Sequence, residues 1–220
     1  MAPKIAIVFY SMYGHVRKLA EAEENGIKAG IKEAAQKLGI SEAEAGTVKL
    51  FQVPETLPQE VLTKMHAPGQ DTSIELLEDP ATLQEYDAFL MGIPTRYGNF
   101  PTQLKTFWDK TGQQWATGGY YGKMAGMFIS TASPGGGQES TAMSAMSTLV
   151  HHGIIYVPFG YAKEFAKMSN LDEVHGGSPW GAGTFSSGDG SRQPSQLELD
   201  IAFTQGKSFY ETVARYTGQQ

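Results

Sequence analysis

The chain has 220 residues, of which 40% are hydrophobic and 18% charged, and it contains no cysteine. The absence of cysteine excludes disulfides, a thiol nucleophile and cysteine-based metal sites. The formal net charge of −6 argues against a general nucleic-acid binder, since affinity for a phosphate backbone requires clustered Lys and Arg.

This length and apolar content can bury one sizeable core, so we expect a single domain over residues 1–220. The chain begins Met-Ala-Pro-Lys-Ile and leads straight into an apolar run, without the cationic and apolar regions of a signal peptide. No apolar run approaches the length of a membrane span. We therefore expect a cytoplasmic protein without an integral membrane segment, although peripheral association with a membrane stays open.

The loop at residues 10–15 is typical of a phosphate site. It joins an apolar run, residues 5–9, to a helix-forming run, residues 16–22, and such a turn directs several unpaired N–H groups at one point. The glycine-rich patterns of dinucleotide folds and of ATPases are absent here. The remaining interpretation is the loop with which flavodoxin-like folds bind the phosphate of FMN. The alternative is that Ser11 only caps the helix and Gly14 is an incidental turn residue.

Apolar runs alternate with helical patterns along the chain, as a doubly wound sheet requires. The predicted strands cover residues 5–10, 48–53, 86–92, 124–131 and 154–158. The clearest helical patterns cover residues 15–38, 100–110, 139–152 and 196–216, the last with an apolar stripe typical of a packing helix. We therefore predict an α/β, flavodoxin-like, doubly wound sheet of five parallel strands with helices on both faces.

Two segments exceed this minimal core. Residues from about 54 to 80 contain four prolines and indicate a mostly irregular insertion or cap. A glycine-rich loop follows the last predicted strand at about residues 176–194. Loops of that length are usually functional or disordered, and Trp180 and Phe185 favour an ordered, functional loop.

The loop after the third predicted strand is the next candidate site, because open α/β sheets bind ligands at the carboxyl ends of their strands. Pro94 stiffens this loop, and Gly98 allows the backbone to approach a flat ligand. Thr95, Arg96 and Asn99 can hydrogen-bond to ring heteroatoms, and a cation at Arg96 would stabilise a reduced, anionic flavin. The alternative is a proline-bounded turn with Arg96 as an exposed charge.

The fourth predicted strand runs into residues 130–139, which include three consecutive glycines. Such glycines cost backbone entropy and are explained if a planar ring packs against the backbone. Trp115 lies in a glycine-rich turn, where it is either a surface plug or the wall of a flat substrate pocket.

Two adjacent histidines, His151 and His152, precede the fifth predicted strand. They point in different directions on a helix and cannot chelate jointly, so we predict no metal site. Near a flavin, one of them could donate a hydrogen bond or a proton to a quinone oxygen. The alternative is a histidine stabilised by the dipole at a helix C-terminus.

Five segments in this order resemble the WrbA family of flavodoxin-like NAD(P)H:quinone oxidoreductases. They are residues 11–15, 94–99, 135–139, 151–153 and 188–195. Residues 64–68 and 173–177 resemble the fungal members more than the bacterial ones. The resemblance implies a parallel five-stranded sheet, bound FMN, and a homotetramer, a dimer of dimers, in which neighbouring subunits complete each site.

The resemblance also implies which residues bind the cofactor and the substrates. The residues at the phosphate would be Ser11, Met12, Tyr13, Gly14, His15 and Val16. Those around the flavin would be Pro94, Thr95, Arg96, Tyr97, Gly98, Asn99, Ser130, Thr131, Ala132, Ser133, Pro134, Gly135 and Gly136. His151 would reach the flavin from its own or a neighbouring chain, Tyr13 would contact the nicotinamide nucleotide, and Trp115 the substrate. Residues 131–135 are one residue longer than the bacterial pattern, which leaves the register of individual amides open by one position.

The activity implied is FMN-dependent two-electron hydride transfer from NADH or NADPH to a quinone with ping-pong kinetics, in protection against oxidative stress. The alternatives are a flavodoxin-type one-electron carrier and a non-catalytic FMN-binding scaffold. Carriers tend to be shorter, so the added segments at about 54–80 and 176–194 favour the enzyme.

Overall fold

Strands and helices alternate along the chain in the computed structural model, which describes residues 2–218. The strands are β1 (Lys4–Phe9), β2 (Thr47–Gln52), β3 (Glu75–Leu76), β4 (Ala88–Pro94), β5 (Met124–Thr131), β6 (Ile155–Tyr156) and β7 (Gly183–Phe185). The helices are α1 (His15–Leu38), α2 (Glu42–Ala45), α3 (Gln59–Lys64), α4 (Thr102–Asp109), α5 (Gly112–Thr117), α6 (Gln138–His151), α7 (Phe165–Met168) and α8 (Gln196–Tyr216), with a 3₁₀ helix at Pro80–Glu85. None of the helices between residues 2 and 218 combines the length and the apolar character that crossing a membrane demands.

Within residues 2–218 the sheet has seven strands in the order β3-β2-β1-β4-β5-β6, and β7 also pairs with β5. Every pairing is parallel. The predicted count of five strands is therefore wrong, although all five predicted strands are present. The two additional ones, β3 and β7, have two and three residues and lie in the segments predicted to be an insertion and a loop. Strands this short carry no periodic signal.

The order of strands reverses at β1. The chain pairs β1 with β2 on one side and returns to place β4 on the other, so that Phe9 lies beside both Gln52 and Gly92. In open α/β sheets the crevice at such a reversal, outside the carboxyl ends of the strands, is where ligands bind. The loops that follow β1, β4 and β5 all reach this edge.

The central strands of the sheet are buried on both faces. All eight residues of β5 are buried, as expected of a central parallel strand covered by helices on each side. One face packs against α1 and α8, and the other against α4 and α6. Helices α1 and α8 approach so closely at Gly26 that their backbones are in contact. A Cβ atom added to Gly26 would lie only 2.0 Å from the carbonyl oxygen of Phe203.

The carboxyl group of Glu23 lies beneath this helix pair. The side chain is wholly buried, and neither carboxyl oxygen has a hydrogen-bond partner among residues 2–218. Burial disfavours the charged form and raises the pKa of the Glu23 carboxyl well above its ordinary value of 4.5. The folded state thus holds this proton more tightly than the unfolded state, so stability is complete below the unfolded pKa and falls as the pH rises towards the folded one.

We expect Glu23→Met to remove this loss, because methionine has a similar volume and no group to ionise. At pH 7 the variant should be more stable by about 1–3 kcal/mol, the scale of an unsatisfied buried polar group. Urea unfolding between pH 4.5 and 8 would show a smaller decline than in the parent chain. Glu33→Met, at an exposed carboxylate paired with Lys207, is the control that should leave the decline intact. Parallel stability curves for parent and Glu23→Met would contradict the prediction.

Candidate active site

A cavity of about 390 Å³ lies at the reversal point of the sheet. Its volume falls within the range of about 300–1,000 Å³ usual for small-molecule sites. The cavity brings together many of the predicted site residues, namely residues 11–13, 15, 16, 94–96 and 130–132. It is also lined by residues 186–190, for which no individual binding role was predicted.

The loop after β1 presents hydrogen-bond donors to this cavity. Gly14 precedes α1 with a φ of +90°, a conformation that favours glycine. The Ser11 hydroxyl oxygen accepts hydrogen bonds from the backbone N–H groups of Gly14 (3.1 Å) and Arg17 (3.3 Å). Because Ser11 acts as the acceptor in both, its hydroxyl hydrogen remains to donate into the cavity. A 24-residue helix that begins here adds its positive dipole end, so the loop suits an anion.

The insertion supports this loop from outside. The Tyr10 hydroxyl donates to Glu55, the Tyr13 hydroxyl donates to the Met65 carbonyl oxygen at 3.0 Å, and Arg17 forms an ion pair with Asp71 at 2.7 Å. Burial and the Glu55 carboxylate raise the pKa of the Tyr10 hydroxyl, which therefore stays a neutral donor. Segment 54–80 thus holds residues 10–14, the loop between β1 and α1 that we call the anion loop, in position.

Thr95 connects the loop after β4 to the start of α6. The Thr141 hydroxyl donates to the carbonyl oxygen of Gly137 at 2.6 Å, so in the 2.7 Å contact between the two threonines Thr95 is the donor. The Thr95 hydroxyl also accepts the N–H of Gly98 at 3.1 Å. This network fixes the backbone of the loop on one side of the cavity.

Residues 96–99 form a tight turn closed by two backbone hydrogen bonds between Arg96 and Asn99, at 2.9 and 3.0 Å. Its central residues, Tyr97 and Gly98, have φ angles of +54° and +75°, as a type I′ turn requires. Tyr97 is fully exposed. Of the predicted residues in this turn, Arg96 lines the cavity, whereas Tyr97, Gly98 and Asn99 do not.

Ser130 and Thr131 at the end of β5 and Ala132 in the loop after it line the cavity, whereas residues 133–136 do not. The N–H of Gly136 donates to the carbonyl oxygen of Ser133 at 2.9 Å, and a Cβ atom on Gly136 would lie 2.9 Å from that same oxygen. The loop's own turn therefore explains this glycine. Ser133, Pro134, Gly135 and Gly136 lie outside the lining.

Residues 186–190 form a wall that was not predicted as a binding segment. The pairing of β7 with the end of β5 brings this wall to the cavity. His15 Nε2 lies 3.1 Å from the carbonyl oxygen of Gly190. Burial lowers the pKa of His15, so the neutral ring donates this hydrogen bond. The glycine-rich composition of the segment was the available signal, but only a long-range pairing shows which way it folds.

The three residues predicted to contact substrates lie in different places. Tyr13 lines the cavity. Trp115 lies on α5, is 60% exposed, and is not part of the lining. His151 is exposed and ends α6, whose first turn is beside the cavity loops, so about 20 Å of helix separates it from them. A contact between His151 and this cavity therefore requires another chain.

His152 has a structural environment. It is buried against Trp108 and Tyr120, and its Nε2 lies 2.9 Å from the hydroxyl of Thr111. Because that hydroxyl donates to the Trp108 carbonyl oxygen, His152 Nε2 is the donor of the pair. Burial lowers the pKa of His152, which favours this neutral form.

The lining fits a flat ligand that carries a phosphate, such as FMN. Hydroxyl and N–H donors meet at Ser11, a guanidinium is available at Arg96, and Asp189 is the carboxylate of the lining. Asp189 is engaged in its own turn, since its Oδ1 accepts the N–H and the hydroxyl of Ser191 at 3.0 and 2.8 Å. Among residues 2–218, no group of three or more His, Cys, Asp or Glu side chains is arranged to hold a metal ion.

Known proteins are similar to this chain in sequence over most of its length. A family model described as NADPH-dependent FMN reductase matches residues 24–166. Minor allergen Alt a 7 of Alternaria alternata is 65% identical over 215 residues, which are 98% of each chain. NAD(P)H quinone oxidoreductase PST3 of Candida albicans is 55% identical over 215 residues, 98% of this chain and 100% of its own.

Among solved structures, the flavodoxin, WrbA-like protein from Agrobacterium tumefaciens has a TM-score of 0.62 at 20% identity, over 97% of this chain and 99% of its own. This likeness shows that the fold is flavodoxin-like. The sequence relatives and the family model carry the rest of the assignment. The chain belongs to the NADPH-dependent FMN reductase family and has the flavodoxin fold.

Proposed function

We propose that the protein is an FMN-dependent NAD(P)H:quinone oxidoreductase. The proposal rests on one observation. The anion loop at Ser11 and the guanidinium of Arg96 line the same cavity, at the reversal point of the sheet. A relative with 55% identity over its full length is named an NAD(P)H quinone oxidoreductase, which supports the same activity. When bound, FMN supplies the two-electron redox chemistry between a nicotinamide nucleotide and a quinone.

The chain's own residues contribute binding and electrostatics. Ser11 and the first turn of α1 hold the phosphate, and Arg96 stabilises negative charge in the same cavity. Three lining residues that could exchange protons are already engaged, His15 with Gly190, Asp189 with Ser191 and Tyr13 with Met65. A proton for the quinone oxygen therefore comes from solvent or from a residue outside this lining.

We infer that a neighbouring chain supplies that residue as His151, within a homotetramer arranged as a dimer of dimers. The position of His151 at the far end of α6 supports an origin in another chain.

Because one cavity serves both substrates, the nicotinamide nucleotide and the quinone bind to it in turn, which gives ping-pong kinetics. A cytoplasmic enzyme of this kind would protect against oxidative stress by two-electron reduction. The organisation as one domain over residues 1–220 also stays a prediction.

The test is to add FMN to the purified protein and to follow NADH and NADPH consumption with and without benzoquinone. We expect flavin fluorescence to be quenched on binding, and nucleotide oxidation to depend on both FMN and quinone. Quenching of flavin fluorescence without nucleotide oxidation would contradict the enzyme and favour a one-electron carrier or an FMN-binding scaffold. No quenching at all would contradict the cofactor assignment.

Replacing Trp115 by alanine should affect the quinone more than the cofactor. Trp115 is exposed and lies outside the cavity lining of its own chain, and we propose that, like His151, it reaches the quinone from a neighbouring chain. We expect the KM for benzoquinone to rise about tenfold, the scale of a lost aromatic contact. The FMN dissociation constant should stay the same, and Trp115→Phe should recover most of the quinone affinity. A large loss of FMN affinity with an unchanged KM would instead place Trp115 at the cofactor.

A further inference from the structure

One buried carboxylate, that of Glu198, holds both ends of the glycine-rich segment. Glu198 is fully buried on the first turn of α8. It accepts hydrogen bonds from the N–H of Gly176 at 2.8 Å, the hydroxyl of Thr184 at 2.7 Å and the N–H of Ser195 at 2.8 Å. It also forms an ion pair with Arg192 at 2.9 Å.

Helix capping alone does not explain this arrangement. Ser195 and Glu198 form a capping box, for which a neutral glutamine would serve as well. A buried charge costs desolvation unless it is paired and hydrogen-bonded. The charge here is used to hold Arg192, whose guanidinium also donates to the carbonyl oxygens of Phe185 (2.7 Å) and Val174 (2.9 Å). We call Glu198 and Arg192 the clamp.

The clamp holds the residues that flank the cavity wall. The guanidinium of Arg192 is bonded to Phe185, so the clamp joins the residues that precede and follow segment 186–191. The backbone N–H of Arg192 also donates to the carbonyl oxygen of Ser186 at 3.1 Å. The wall itself starts where the N–H of Ser186 donates to the carbonyl oxygen of Thr131 at 2.9 Å. Residues 186–190 are thus a short closed loop whose shape depends on the clamp.

The tip of the wall offers donors and carries strain. Ser187 has a φ of +64°, which is unusual for a residue with a side chain. Among the residues that the structure describes, the backbone N–H groups of Ser187 and Gly188 have no hydrogen-bond partner, although both residues line the cavity. The hydrogen bond between His15 and Gly190 places this tip beside the anion loop. Free N–H groups in such a turn favour an anion.

We propose that residues 186–190 form the second half of the phosphate site, and that Glu198 is a positioning residue that holds this half in place through Arg192. The inference deepens the proposed function and rests on it. It assigns the phosphate of the flavin nucleotide to donors from two loops that lie about 175 residues apart in sequence, at Ser11 and at Ser187.

The test compares FMN with riboflavin, which lacks the phosphate, in Glu198→Gln and in the parent chain. Glutamine keeps the capping box and removes the charge that holds Arg192. We expect the dissociation constant for FMN to rise about 10- to 100-fold, the scale of a misplaced binding group, and that for riboflavin to change far less. Glu211→Gln, at a half-buried carboxylate on the same helix paired with Lys163, is the matched control and should leave both constants unchanged.

A second variant and a ligand-free measurement guard against misfolding. Arg192→Gln leaves Glu198 with its neutral donors and should show the same selective loss of FMN. Hydrogen exchange in residues 183–192 should be faster in both variants without any flavin. Equal losses for FMN and riboflavin, or unchanged binding of both, would overturn the positioning role. A parent chain that binds neither flavin would overturn the proposed function instead, while the exchange data would still report whether the clamp holds the wall.

Discussion

Gly26→Ala should strongly destabilise the protein, although it adds only one methyl group. The added Cβ would lie 2.0 Å from the carbonyl oxygen of Phe203 and 2.9 Å from the backbone nitrogen of Lys207. Both atoms belong to the backbone of α8, so no side chain can rotate away and the two helices must separate. We expect a loss of about 3 kcal/mol or more, against a total of about 5–15 kcal/mol for a typical domain.

A loss of stability on Gly26→Ala would be evidence for the close contact between the helices, because the same substitution in an exposed helix has the opposite effect. In an open helix, alanine is more favourable than glycine by about 1 kcal/mol. Gly112→Ala is the control, because Gly112 lies in α5 with nothing within 4 Å of an added Cβ. Urea unfolding should show a much lower midpoint for Gly26→Ala and an equal or higher one for Gly112→Ala. Equal midpoints for Gly26→Ala and the parent chain would mean that α1 and α8 do not meet through their backbones.

Ser11→Asp should nearly abolish FMN binding while it spares riboflavin. The substitution introduces a carboxylate into the loop where we place the phosphate, and two like charges about 4 Å apart repel by about 4 kcal/mol at the effective dielectric constant of a protein surface. That energy corresponds to about a thousandfold loss of affinity. Ser11→Ala, which removes a hydroxyl and adds no charge, should cost about tenfold.

Fluorescence titrations with FMN and riboflavin measure both constants directly. The ratio between them is the informative quantity, because a general distortion of the cavity would weaken both ligands together. If Ser11→Asp bound FMN as tightly as Ser11→Ala, the phosphate would lie elsewhere in the cavity.

The sequence contained enough information to predict the central sheet. The strands β1, β4 and β5 are apolar on both faces, and a run of that kind with helical patterns on either side is a strong local signal. The strands β3 and β7 could not be predicted in this way. Each has two or three residues and exists because a neighbouring strand offers hydrogen-bonding groups, which is a tertiary effect.

The candidate site divides in the same manner. The loops at Ser11 and Thr95 follow long strands, so topology alone places them together. The wall at 186–190 reaches the cavity through the pairing of β7 with β5 and through Glu198, a contact set that no local pattern encodes. The glycines after β5 were identified, and the turn at Ser133 already requires a glycine at position 136.

The far edge of the sheet is divided between two short strands. Along β5, residues Met124 and Ala125 pair with β6, whereas residues 129–131 pair with β7. The opposite edge ends in β3, which has two residues. Long unpaired strands are templates for intermolecular β-pairing and fibril growth. Within residues 2–218 the outer edge of β2 is short, since β3 pairs with residues 51 and 52 and leaves residues 47–50 without a strand beside them. Within an assembly of the kind proposed, we therefore expect copies of the protein to meet through helix and loop surfaces and not through added strands.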